Sequence, residues 1–189
     1  MALEDGAVVK AGVAHVLLAP ENTAAPTLAD ITALASDNPV IDGWDNFGHT
    51  SLDNDFAPFM DGGESTVEGS RQNPKLRESV ATATEGMDIS SIQVSRETLS
   101  YYYGGTGSSS GDGVFGIPQT ANTINRAVLV VYFDGSNVVA EYHSKASVRR
   151  SGPITNGAEG FMQFPIRLTW LQGTNEDAWI GEMLSDDGS

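Results

Sequence analysis

The chain has 189 residues, with 25 acidic against 10 basic side chains, a net charge of −15 and no cysteine. That length suits one compact domain with a real core. The charge opposes sequence-independent binding to phosphate backbones, and the missing thiols exclude a disulfide framework and thiolate metal sites.

Apolar residues make up 40% of the chain and glycine is frequent at 21 residues, a turn-rich composition that favours β structure over a helical bundle. The opening MALEDGAVVK is acidic and lacks a basic region before an apolar core, so it does not read as a signal peptide. The longest strongly apolar run, AVLVVYF at 127–133, falls far short of the ~20 residues needed to span a bilayer. The expectation is a protein made or assembled in a cytoplasm, with no membrane partner.

In chain order, VAHVLLAP (13–20) is apolar, β-rich and closed by proline, which predicts a strand. TLADITALA (27–35) spaces Leu28, Ile31 and Leu34 as one helical face behind Thr27 as N-cap. GWDNFGHTSLDNDFAPFMDGGE (43–64) is too rich in glycine for a helix and too punctuated for one long strand. STVEGS (65–70) has strand character, and RQNPKLR interrupts it with Pro74. ESVATATEG and ISSIQVS alternate: Val80, Thr82 and Thr84 share one face, while Ile92 and Val94 oppose Gln93 and Ser95. This period of two predicts half-buried strands.

SRETLSYYYGG fits either a strand or a helix, and Ser95 as N-cap with Gly104 as stop favours a short helix. The Gly/Ser-rich run 104–113 reads as a flexible loop. Two apolar runs flank Asp134-Gly135, a strong hairpin signal. The first is apolar on both faces, as a central buried strand is. In GFMQFPIRLTWLQ (160–172), Phe164, Ile166, Leu168 and Trp170 alternate with polar positions, and Pro165 marks an edge or a bend. The last residues, 185–189, read as a frayed end. In all, seven or eight strands and one or two short helices predict a mainly β single domain, a sandwich or barrel with a long inter-strand loop.

No catalytic constellation emerges. GSSSG (107–111) matches G-x-S-x-G, but a nucleophile elbow needs a strand before Ser109 and a helix after it, and the flanks are loop formers. His15, His49 and His143 lie far apart in no ligand spacing. Asp53, Asp55, Asp61 and Glu64 are acidic enough for calcium but miss the spacing of the twelve-residue loop. A solvated acidic loop is the plainer reading. The three tryptophans read as core or interface anchors. No metal, cofactor or enzymatic activity is expected.

The order of segments is more specific than any one of them. AHVLLAPENTAAPT (14–27), a short helix, GWDNFGHTSLDN (43–54) with its W-x-x-x-G-x-T-S run, SRETLSYYYGG (95–105) and a final PIRLTW together resemble the major tail protein of long, non-contractile-tailed phages. The resemblance implies a β-sandwich or barrel flanked by a helix. It implies copies that form rings of six and stack into a tube, whose lumen holds the tape measure protein and later passes DNA without specific binding. Tail terminator and distal tail or baseplate proteins would meet its ends. It supplies no cofactor and no catalytic residue.

By position, residues 44–75 then correspond to the loop that reaches the neighbouring ring. Trp44, Phe47, His49, Phe56, Phe59 and Met60 would bury against neighbours, beside the acidic Asp53, Asp55, Asp61 and Glu64. Basic complements would come from Arg71, Lys75, Arg77, Arg149 or Arg150. Asp88, Glu97 and Glu141 are the candidate acidic groups of the lumen wall. The rival readings are another virion structural protein, such as a tail terminator or head decoration protein, and a carbohydrate-binding module.

Overall fold

The structure, a computed structural model, describes residues 8–52, 56–174 and 177–183. Among these, ten strands and two short helices follow in the order β1 (Val13–Pro20), α1 (Leu28–Thr32), β2 (Asp45–Asn46), β3 (Ala57–Gly62), β4 (Ser65–Glu68), β5 (Arg77–Val80), β6 (Ala83–Ser91), α2 (Arg96–Tyr103), β7 (Ile124–Asp134), β8 (Asn137–Arg150), β9 (Phe164–Trp170) and β10 (Trp179–Met183). The main sheet is antiparallel throughout, in the order β2-β1-β7-β8-β9-β6-β3, and β10 also pairs with β8. Among the described residues, β4 and β5 pair only with each other.

The mainly β class is as the pattern implies, and β1 has the predicted bounds. β7 lies deep in the sheet, with residues 127 to 131 wholly buried. The turn that follows is centred one position later than the Asp-Gly signal: Asp134 pairs with Asn137, leaving Gly135 and Ser136 as the turn. α1 is shorter than its apolar spacing suggests. Thr27 caps it reciprocally with Asp30, Ile31 is its buried residue, and Leu34 already follows in a tighter turn that bonds to the Ile31 carbonyl. α2 is a helix as its end signals indicate. The Thr98 amide donates to Ser95 Oγ at 3.1 Å, and Gly104 ends it in the left-handed conformation at φ 72°.

The alternating region is displaced. Strands fall at Arg77–Val80 and Ala83–Ser91, whereas Ile92 and Val94 lie outside any strand. Gly86 reads as punctuation in the sequence but sits mid-strand. The space a Cβ would take there is filled by the Leu168 carbonyl and the Phe59 ring, so close approach requires glycine. β10 was not expected; Trp179 secures it by packing 5.6 Å from Tyr142. Pro165 lies near the start of β9, an interior strand between β8 and β6 rather than an edge, and its carbonyl accepts from Ser151 N.

The sheet buries both faces. One cluster gathers Val16, Val130, Ile89, Phe164, Ile166 and Leu168 with Tyr102 of α2. The other gathers Leu17, Leu129, Val131, Ala140 and Tyr142 beneath Ile31 of α1, Trp44 and Trp179. Residues of β1 and β6, far apart in strand order, share the first cluster, so the sheet curls on itself. β8 serves both clusters through one irregularity. Arg126 pairs with Ala146 but Val128 with His143, which leaves β8 one residue longer than its partner there. That bulge switches faces. Val138, Ala140 and Tyr142 enter the second cluster, whereas Ala146 and Val148, with the same parity, enter the first.

A candidate assembly surface

The expected 44–75 loop divides into three parts with different surroundings. Its first part is a strap rather than an arm. Trp44 is 7% exposed and packs at 6.2 Å against Tyr142, and Phe47 is 6% exposed in the other cluster. The Phe47 amide donates to Val16 O (2.8 Å), Ile92 N donates to His49 O (3.0 Å) and Ser51 N to Ser90 O (2.8 Å). The strap thus ties β1 to the end of β6. Trp44 and Phe47 spend their apolar area inside their own subunit, which corrects the expectation that they bury against a neighbour. His49 is exposed at the surface of the strap.

Asp53 and Asp55 lie outside the described residues. Phe56 is half-buried against Tyr132, ring to ring at 6.2 Å. β3 then closes the sheet as its edge strand, with Pro58 and the exposed Met60 in it. Met60 and Glu64 remain exposed.

The third part projects. Every residue of β4 and β5 is exposed. One face of the hairpin carries Val67 and Val80, and the other carries Thr66, Ser79 and the Glu68–Arg77 ion pair. Its turn is tightly built. Ser70 N donates to Asn73 O (2.7 Å), Asn73 N to Ser70 Oγ (3.1 Å) and Lys75 N to Asn73 Oδ1 (3.2 Å). The Pro74 carbonyl fills the space of a Cβ on Gly69. Arg71 and Lys75 project from this turn, exposed.

A second open surface is the face of β8, β9, β6 and β3 turned away from the first cluster. Register aligns Arg149, Arg167, Asp88 and Ala57 in one row across the four strands. Arg167 is its hub. Nε and a terminal nitrogen donate to the two Asp88 oxygens at 2.8 and 2.6 Å, the guanidinium lies 4.2 Å from the Phe59 ring centre, and Asp61 is 4.0 Å away. The hydrogen-bonded Asp88 carboxylate raises the arginine's pKa further, so its charge is permanent. Arg149 and Arg150 end β8, both exposed.

The three acidic candidates for a common wall are dispersed. Asp88 belongs to this row. Glu97 is exposed in the first turn of α2. Glu141 accepts from His143 at 2.7 Å, and that imidazole stacks on Trp170 with centroids 3.8 Å apart. The parity of one-dimensional alternation carries no information about these separate locations. Nearby, burial and the Glu141 charge push the Tyr132 phenol up to about 12.

Ser109 follows a helix rather than a strand, in turns where Ser110 N donates to Gly107 O (3.2 Å), and no elbow forms. Among the described residues no group of three or more His, Asp or Glu side chains is placed to hold a metal ion, and no helix is long and apolar enough to cross a membrane.

The profile of the phage tail tube protein family matches residues 1–187. The chain belongs to that family. It is similar to the major tail protein Gp23 of Mycobacterium phage D29, at 36% identity over 193 aligned residues covering 97% of this chain and 96% of that protein. The major tail protein Gp23 of Mycobacterium phage L5 matches at the same identity and coverage. A tail tube protein is a structural component of the virion tail that assembles with itself, and it is not an enzyme. A protein that assembles with itself works through its surfaces, and two features of this surface are hard to read in the sequence. Arg167 is one, and its only signal is a lone arginine in PIRLTW, with parity opposite to the apolar positions, as on an uncovered polar face. The β4–β5 hairpin is the other, because the aromatic residues earlier in the glycine-rich run read as unspent interface, whereas Trp44 and Phe47 are core.

Proposed function

We propose that copies of this chain form rings, six to a ring as the family resemblance implies, and that the rings stack through the β4–β5 hairpin. The hairpin carries the reading. A two-stranded hairpin standing alone is at best marginal in water, yet this one is fully exposed, presents Val67 and Val80 on one face and has a preformed turn. Covering it with another ring supplies what its own subunit does not. Repeated contacts that do not close on themselves give a filament.

In this arrangement the open face around Arg167 lines the lumen. It is a sheet surface of mixed, mutually paired charge, with β3 as a free edge available for lateral pairing. Asp88 and Asp61 set against Arg149 and Arg167 leave the wall near balance, so it neither grips nor strongly repels phosphates. The tape measure protein would occupy this lumen before DNA passes, and the terminator and distal tail proteins would cap the ends.

Negative-stain electron microscopy of concentrated protein tests the reading. Wild type should give tubes, and replacing residues 66–79 with a short Gly-Ser turn should leave rings or monomers. Tubes from the shortened chain would remove the hairpin from the account, and closed rings that never stack would favour a terminator.

A further inference from the structure

The described residues hold a groove of about 500 Å³ between α1 and the strap. Leu34, Ile41 and the buried Trp44 contribute its apolar surface, Val40 is exposed at its margin, and Asp30 and Asp42 add negative charge. Charge along the chain is strongly segregated. No lysine or arginine occurs between Lys10 and Arg71, so Asp30, Asp37, Asp42 and Asp45 have no cation within their own segment. By contrast, residues 69–77 hold Arg71, Lys75 and Arg77 and no acid. Arg77 is paired with Glu68. Arg71 and Lys75 make no ion pair with any described residue, and Leu76 beside them is 63% exposed.

We infer that the groove between α1 and Val40–Trp44 is the socket for the β4–β5 turn of a second copy. Leu76 enters against Val40 and Leu34, while Lys75 and Arg71 face Asp42 and Asp30. This deepens the proposed stacking and rests on it. The turn's hydrogen bonds fix its shape before contact, so little ordering is lost on binding. Apolar insertion supplies affinity, and the charges set the register and reject wrong partners. An acidic socket and a basic plug on one chain are complementary without being self-complementary, which is the requirement for a contact that propagates.

The absence of native cysteine makes the test direct. Val40→Cys and Leu76→Cys chains, each exposed at the changed position, are mixed in equal amounts, concentrated and oxidised. A disulfide-linked dimer is expected from the mixture and none from either chain alone. A chain carrying both changes should give a ladder of linked copies. The same samples are imaged. Tubes without a cross-link overturn the socket and leave stacking intact. A cross-link without tubes keeps the socket and overturns the tube reading. Neither one overturns both.

Charge reversal checks the result without cysteine. Lys75→Glu with Arg71→Glu should abolish tubes, as should Asp42→Lys. Combining Lys75→Glu with Asp42→Lys should restore them. Tubes from both reversed forms, or no restoration from folded protein, would overturn the assignment of partners. Asp30 is left unchanged because it caps α1.

Discussion

β7 and the β4–β5 hairpin are both antiparallel strand structures, yet they stand at opposite ends of the energy scale. β7 is flanked by β1 and β8 and covered on both faces, with Ala127 to Val131 wholly buried. The hairpin has a ladder but no cover, and all eight of its strand residues are exposed. Backbone hydrogen bonds exist in both. What separates them is apolar area removed from water, at about 25 cal/mol per Å². β7 therefore stabilises the subunit, while the hairpin contributes only when something outside the subunit covers it.

Substitutions should separate these roles. Leu129→Ala, in β7, should cost about 2–5 kcal/mol by leaving a cavity that the two-sided packing cannot fill. Urea unfolding would measure it, and a loss below about 1 kcal/mol would mean that the body is loosely packed.

Alkaline pH probes the body next. The Tyr132 pKa is raised from 10.0 to about 12 in the folded chain, so the unfolded chain gives up this proton first. Its contribution is complete below pH 10 and is lost as pH rises toward 12. Absorbance at 295 nm should show tyrosine ionisation continuing to about pH 12, and Tyr132→Phe should diminish that late component. Glu141→Gln should bring that midpoint down by removing a nearby negative charge.

A smaller effect belongs to the open face. A double-mutant cycle on Asp88→Ala and Arg167→Ala should show coupling of about 1 kcal/mol, because both groups are partly solvated. Zero coupling would mean that the Phe59 contact, rather than the ion pair, holds the arginine.

The smallest change is expected in the hairpin. Val67→Thr with Val80→Thr should alter subunit stability by less than about 0.5 kcal/mol. The same pair should still lower the yield of tubes, measured by pelleting. A large loss of subunit stability would show that the hairpin belongs to the body, and the contrast with β7 would fall.

By itself the sequence determined much of the body. The alternation of β9, the caps Ser95 and Gly104, the doubly apolar β7 and the hairpin after Asp134 follow from local rules of side-chain direction and backbone sterics, which act within a few residues. Charge segregation was equally readable. Tertiary structure decided the rest. In β8 every even position from 138 to 148 is buried, which reads as one face of a plain strand. Only pairing with β7 reveals the bulge that sends the two halves into different clusters. Trp44 and Phe47 look like spare interface until the strap places them in the core. Asp88, Glu97 and Glu141 look equivalent until Arg167, solvent and His143 receive them separately. In each case alternation specifies which way a side chain points along its own strand. What lies against that face is set by segments tens of residues away, through contacts that local sequence does not encode.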